Sequence, residues 1–233
     1  MLPKIVHQIV GEKKNYVVQR CLASWEALFE EGFEIKIWTD KSIEVFIKKN
    51  FPFALESIKR ARNHAEASDI FRYLVVFHYG GHYVDWDIQL LNKSSFLDLC
   101  ASKPNGYLLV DNTDGSLASE CFAACAGEDF LFYLAKDIVQ LFVNGERDLL
   151  NTLNYSGPFR MRDVLQKYQN SRQDITPIKD VFLYDYHEIK TMPERLDIRP
   201  MIHYWLHSWL PNKNICTSAV MPVATRHNQI TSM

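Results

Sequence analysis

Nowhere in the 233 residues does an apolar run approach the ~18 residues that a membrane span requires. The opening Met1-Leu2-Pro3-Lys4-Ile5-Val6-His7 has no charged leader ahead of an apolar stretch. The chain therefore reads as cytoplasmic, or as a fragment freed of an anchor, with any membrane contact peripheral. Excess charge of one sign is missing too: the formal net charge is −2 and the basic residues are scattered, which excludes a nucleic-acid surface. The five cysteines, Cys21, Cys100, Cys121, Cys125 and Cys216, are odd in number and form no CxxC pair, so they read as buried thiols in a reducing compartment. There is no internal repeat and no low-complexity tract.

What is present is an ordinary globular composition, 47% hydrophobic, at a length that one domain accommodates. The expected boundaries are 1–211 for that domain and 212–233 for a polar tail. Leu2 to Val10 is a β-branched apolar run ending at Gly11, a buried first strand. Val18, Cys21, Leu22, Trp25, Leu28 and Phe29 recur at helical spacing and stop at Gly32. Phe33, Ile35 and Ile37 alternate with Glu34 and Lys36, and Trp38-Thr39-Asp40 then supplies a helix cap. This β-α-β order predicts an α/β fold with right-handed crossovers and ligands beyond the carboxyl ends of its strands. Further along come a helix over 63–79 ended by Gly80-Gly81, a short strand His82-Tyr83-Val84, a strand over 107–110 and a helix over 130–143. A helix begins at Ser156-Gly157-Pro158, Val181 to Tyr184 reads as a late strand, and an aromatic-histidine cluster spans 203–209.

Asp85-Trp86-Asp87 follows the short strand. On an extended backbone, residues one apart point to the same side, so Asp85 and Asp87 can offer oxygens to one hard cation. With 15 aspartates in the chain, about one Asp-x-Asp arises by chance, so the pair gains weight only from its context. Asp69 and Arg72, three apart, share a face of the preceding helix. Spacing alone reads them as a surface ion pair, but the apolar neighbours Ile70, Phe71, Leu74, Val75 and Val76 make that helix mostly buried and place the pair at a pocket.

Together, Ala67-Ser68-Asp69-Ile70-Phe71-Arg72-Tyr73 and Tyr79-Gly80-Gly81-His82-Tyr83-Val84-Asp85-Trp86-Asp87 resemble the signature of the DXD-containing, sugar-binding glycosyltransferases. Weaker pieces fall in the same order: Pro3 to Ile9, Trp38-Thr39-Asp40, Ser156-Gly157-Pro158 and His203 to Trp209. The resemblance implies a GT-A-type, Rossmann-like α/β fold with a mixed, mostly parallel sheet flanked by helices. It implies transfer of a hexose from a UDP- or GDP-sugar to a glycan, glycolipid or protein acceptor, with retention of anomeric configuration and a Mn2+ or Mg2+ cofactor. Carried over by position, Asp69 binds sugar hydroxyls and Arg72 lies beside sugar and phosphate. Asp85 contacts the ribose or a metal-bound water, and Asp87 ligates the metal. His203 or His207 completes the metal shell, Ser208 and Trp209 lie near the diphosphate, and His7, Gln8, Ile9, Tyr83 and Trp86 complete the donor site. Where the family's first strand often ends His-Gln-Ile-Trp, this chain has Val10 in the last position.

Two rival readings stand beside this one. An apolar strand leading into Asp85 and Asp87 also suggests a haloacid-dehalogenase-like phosphatase, although such enzymes carry the motif on their first strand and this chain has Gln89 where they usually have Thr or Val. The other rival is a carbohydrate- or nucleotide-binding module without turnover.

Overall fold

A computed structural model of the chain describes residues 2–12, 14–195 and 198–206. Its strands are β1 (Ile5–Ile9), β2 (Glu34–Trp38), β3 (Gly81–Val84), β4 (Ile88–Leu90), β5 (Gly106–Val110), β6 (Leu117–Ala124), β7 (Asp174–Pro177) and β8 (Met201–His203). Six of them form one sheet in the order β2-β1-β3-β6-β5-β7, while β4 and β8 pair separately. β1 runs parallel to β2 and β3, and β5 parallel to β7; β6 is antiparallel to both of its neighbours. The sheet is thus mixed and mostly parallel, as expected for a GT-A-like α/β fold.

Because successive strand residues face opposite sides, each strand feeds two cores. Ile9, Tyr83 and Phe122 pack with Ile70, Phe71 and Leu74 of the helix His64–Tyr79 and with Phe130 and Leu134 of the helix Asp129–Val143. Val6, Val84 and Cys121 face the other way, against Trp25, Leu28 and Phe96. Truncating a fully buried ring such as Phe71 to alanine would cost about 3–5 kcal/mol.

The helix ends follow local chemistry. Thr39 caps the helix Asp40–Asn50 through a reciprocal pair with Ser42, and Asn63 caps His64–Tyr79 by accepting from the Glu66 N–H. At the other end of that helix, Gly80 and Gly81 have φ of 67° and 98°, where side chains are strained. A Cβ on Gly80 would stand 2.6 Å from Ala126 N, and one on Gly81 would stand 2.5 Å from Ile5 O. Only this glycine pair lets the chain turn directly from the helix into β3 beside β1.

One expected element is different. Val181 to Tyr184 is not a strand: Val181 ends the short helix Ile178–Val181, and Phe182 makes a lone bridge to Met201. Apolar residues over so short a stretch do not distinguish helix from strand. β6 has no counterpart in the sequence reading, because Leu117-Ala118-Ser119-Glu120-Cys121-Phe122-Ala123-Ala124 is rich in small residues with little strand preference. Cys21 and Cys121 are buried and Cys100 and Cys125 half-buried, all as free thiols; Cys216 lies outside the described residues. No helix among the described residues is long and apolar enough to cross a membrane.

Candidate active site

The carboxyl ends of β1 and β3 and the start of the antiparallel β6 meet at one edge of the sheet, where they border a cavity of about 580 Å³. Ile9, Gly11, Asp69, Arg72, Tyr83, Asp85, Trp86, Asp87, Glu120, His203 and Trp205 are among its walls. This is the crevice where α/β sheets bind ligands.

Asp69 and Arg72 are not a surface pair. Their side chains are only 5% and 6% exposed, with Arg72 Nη1 3.4 Å from Asp69 Oδ1 and Nη2 3.4 Å from Asp85 Oδ1. Arg72 also donates to the Ser119 carbonyl at 2.9 Å and lies over the Tyr83 ring. A guanidinium is suited to this task because its planar fork reaches several acceptors at once. Burial works against its charge, but Asp85, Tyr83 and Asp69 outweigh that penalty and hold it protonated. Ser156 Oγ donates to Asp69 Oδ2 at 2.7 Å. Burial nevertheless pushes the Asp69 carboxyl up to about 6, against the pull of Arg72 and Ser156.

Asp85-Trp86-Asp87 is not extended, so the two aspartates do not share a side by strand alternation. The segment is a turn between β3 and β4, closed by the Ile88 N–H donating to the Asp85 carbonyl at 3.1 Å. Both carboxylates reach the cavity through that turn. Tyr83 Oη donates to Asp85 Oδ1 at 2.5 Å. Burial raises the Asp85 carboxyl, and Arg72 opposes it.

Asp87 sits against the last described segment of the chain. The pairing of β4 with β8 sets Ile88 opposite His203, and the Tyr204 N–H donates to the Asp87 carbonyl at 3.1 Å. His203 Nε2 stands 3.4 Å from Asp87 Oδ1, and the Leu206 N–H donates to Oδ2 at 2.8 Å. Burial disfavours the charged Asp87, yet His203 and the Leu206 and Asp87 N–H groups hold its carboxyl below the usual range. For His203, burial likewise opposes the charged form, and Asp87 with Glu120 reverses this, so its pKa is raised. Trp205 stacks on the His203 ring at 4.1 Å between centroids and has a φ of 44°, rare for a bulky residue.

The remaining sequence candidates divide. Ile9 lines the cavity; His7 and Gln8 are not among its walls. His7 is a core histidine: Trp38 Nε1 donates to its Nδ1 at 3.2 Å, which leaves Nε2 to donate to the Gly80 carbonyl at 3.0 Å. Burial pulls its pKa down to about 4, so it is neutral. Gln8 is buried with no hydrogen-bond partner for its side-chain amide. His207, Ser208 and Trp209 lie outside the described residues. Among the wall residues, Glu120 was not singled out from the sequence, and Trp205 entered only as part of the aromatic-histidine cluster. Glu120 had a signal: it is the one charge in the Leu117–Ala124 run.

Among the described residues, no three His, Cys, Asp or Glu side chains converge closely enough to enclose an ion by themselves. Asp85, Asp87 and Glu120 nevertheless bring carboxylates to one wall, together with His203, whose Nδ1 is buried without a hydrogen-bond partner. Such a donor set fits an ion of the magnesium or manganese kind, which takes one or two carboxylates and completes its shell with substrate phosphates. A phosphatase nucleophile, by contrast, would have to be free to attack. Asp85, its counterpart, is held by both Tyr83 and Arg72.

Comparison with known proteins agrees with this geometry. Residues 13–104 match the family described as "Glycosyltransferase sugar-binding region containing DXD motif". Inositol phosphoceramide mannosyltransferase 1 of Schizosaccharomyces pombe is 27% identical over 143 residues, which is 56% of this chain and 41% of that protein. The chain therefore spans under half the length of that relative. An uncharacterized glycosyltransferase of Acanthamoeba polyphaga mimivirus is 25% identical over 93% of this chain and 87% of its own length. Among solved structures, the PaToxG glycosyltransferase superposes with a TM-score of 0.50 at 17% identity, covering 72% of this chain and 70% of its own. A glycosyltransferase involved in glycosylation of the major capsid of PBCV-1 gives 0.50 at 14% identity over 86% of this chain and 93% of its own.

Proposed function

We propose that the chain, whose residues 13–104 match the DXD-containing sugar-binding glycosyltransferases, is a member of that family and transfers a hexose from a UDP- or GDP-sugar to a hydroxyl of a glycan, glycolipid or protein. The observation that carries this reading is the relay from buried Asp69 and Arg72 to half-buried Asp85, which opens on the same cavity as Asp87 and His203. We take residues 1–211 as the catalytic domain, acting on the cytoplasmic side.

In this reading Asp69 accepts hydrogen bonds from the donor sugar, its carboxylate oriented by Ser156 and Arg72. Arg72, pinned between two carboxylates, presents fixed positive charge to the departing diphosphate at no reorganisation cost, which is electrostatic stabilisation of the transition state. Tyr83 orients the Asp85 carboxylate, which would contact the donor ribose. Asp87, with His203 beside it, would hold a divalent cation. A bound divalent cation would supply neutralisation of the charge developing on the nucleotide. The acceptor hydroxyl attacks the face that the leaving group vacates, with a phosphate oxygen taking its proton and anomeric configuration retained.

The test is nucleotide release from a panel of UDP- and GDP-hexoses, with and without manganese, by wild type and Asp87→Ala. Release by the wild type that needs the metal and is lost in the folded variant is the expected result. A folded Asp87→Ala as active as wild type would overturn the assignment.

A further inference from the structure

One face of the helix His64–Tyr79 carries Glu66, Asp69 and Tyr73, at the spacing that sets side chains one above another. Facing it is the single helical turn Thr152–Tyr155 with Ser156 at its end, where the Ser156 N–H donates to the Thr152 carbonyl at 3.0 Å. Each carboxylate of the long helix takes one hydroxyl from this short segment. Thr152 Oγ1 donates to Glu66 Oε1 at 3.0 Å, and Ser156 Oγ donates to Asp69 Oδ2 at 2.7 Å. Tyr73 Oη adds a third tie by donating to the Ser156 carbonyl at 3.0 Å.

Asp69 faces the cavity, whereas Glu66 is fully buried and is not among the cavity walls. A buried carboxylate must have its oxygens satisfied. For Glu66 the Arg62 N–H donates to Oε2 at 3.0 Å and Arg62 Nε to Oε1 at 2.9 Å, beside the Thr152 hydroxyl. Thr152 Oγ1 also accepts from Asn63 Nδ2 at 2.9 Å, and Arg62 Nη1 donates to the Leu150 carbonyl at 2.9 Å. Apolar packing alone would leave the short turn free to rotate a little about its axis. Hydrogen bonds are directional, so this set fixes its rotation and with it the aim of Ser156 Oγ.

We propose that Glu66 is a positioning residue of the donor-sugar site: through Thr152 it sets the turn from which Ser156 orients the Asp69 carboxylate. This deepens the donor reading above and rests on it. Asp69 is the group assigned there to the sugar hydroxyls, so a misplaced turn weakens recognition of the hexose and spares the nucleotide, which other walls hold. A merely structural Glu66 would lower stability and leave the preference for nucleotide-sugar over nucleotide as it is.

The experiment is the nucleotide-release assay with manganese and the UDP- or GDP-hexose that the wild type hydrolyses fastest, reading KM for that donor and the inhibition constant of its free nucleotide. The variants are Glu66→Gln, Glu66→Ala, Thr152→Val, Ser156→Ala and the Thr152→Val/Ser156→Ala pair, each checked for folding by circular dichroism. Thr152→Val and Ser156→Ala should each raise KM by about tenfold, the worth of one hydrogen bond to a charged group, with the inhibition constant unchanged. Because both act through one hydroxyl on Asp69, the pair should be no worse than Ser156→Ala alone. Glu66→Gln keeps an oxygen for Thr152 and should fall between wild type and Glu66→Ala. If the Glu66 variants do not fold, Thr152→Val decides. A folded Thr152→Val with wild-type KM, additive losses in the pair, or an equal rise in the inhibition constant would overturn the relay while leaving the donor reading in place. A wild type that releases nucleotide from no donor would overturn both.

Discussion

The Leu206 N–H donates to Asp87 Oδ2 across 2.8 Å, so the carboxylate assigned to the metal is fixed by backbone 119 residues further along the chain. The side chain therefore serves two separable purposes, a charge for the cavity and an acceptor for a part-buried donor.

Asp87→Asn and Asp87→Ala should part on stability and agree on activity. Asparagine keeps an oxygen for the Leu206 N–H, whereas alanine leaves that donor unsatisfied at a cost of about 1–3 kcal/mol. Both lose the charge, and donor turnover should fall by about a hundredfold or more in each. Urea unfolding beside a nucleotide-release assay checks the split; equal stabilities would show that the N–H finds another acceptor.

Arg72→Ala leaves the buried Asp69 and the half-buried Asp85 without their shared cation and should cost about 3 kcal/mol. Arg72→Lys keeps the charge but not the fork that reaches Ser119, Asp69 and Asp85 together, so it should retain more stability than alanine yet remain impaired in turnover. A Lys variant with wild-type turnover would show that the fork is dispensable.

Acid should destabilise the fold partly through two core histidines. Burial lowers the His7 pKa to about 4 and that of His82 to about 3. Below about pH 6.5 the unfolded chain takes up these protons and the folded chain does not. Their contribution is therefore complete above that pH and is lost as the pH falls toward the folded-state values, by at most about 3 kcal/mol each at pH 4. Asp69, raised to about 6, slopes the opposite way, so the informative quantity is a difference between proteins. His82→Gln, which removes the imidazole facing Tyr107 and Cys100, should have a shallower acid limb in chemical denaturation between pH 4.5 and 7.5. Parallel profiles would refute the assignment to His82.

The stereochemical proposal can be checked on the product alone. Proton NMR early in the reaction should show the donor's anomeric configuration preserved. An inverted product would remove the same-face attack and leave sugar transfer itself standing.

Much of this architecture is legible in the sequence where local signals agree. The helix over 64–79 has apolar residues on nearly every face, an Asn63 cap and a glycine pair after it, and each cue has one structural meaning. That clarity groups Asp69, Arg72, Asp85 and Asp87 from the sequence, whereas Tyr83 and Trp86 join them only through the family resemblance. β6 was hidden because its small residues acquire strand character only between β3 and β5. Periodicity does not reveal protonation, so His7 could be taken for a ligand until its contacts with Trp38 and Gly80 defined it as neutral core. The same-side argument for Asp85 and Asp87 failed because a turn replaced the extended backbone it assumed.

The segment Met201–Leu206 has a consequence in time as well as in space. All six strands of the main sheet have been synthesised by Pro177, but the groups that settle Asp87 arrive only with His203 and Leu206. As the chain leaves the ribosome, the scaffold can assemble before its reaction chamber has its last wall. Competence for ligand is thus deferred until the chain has been made past Leu206, well after the last strand of the main sheet.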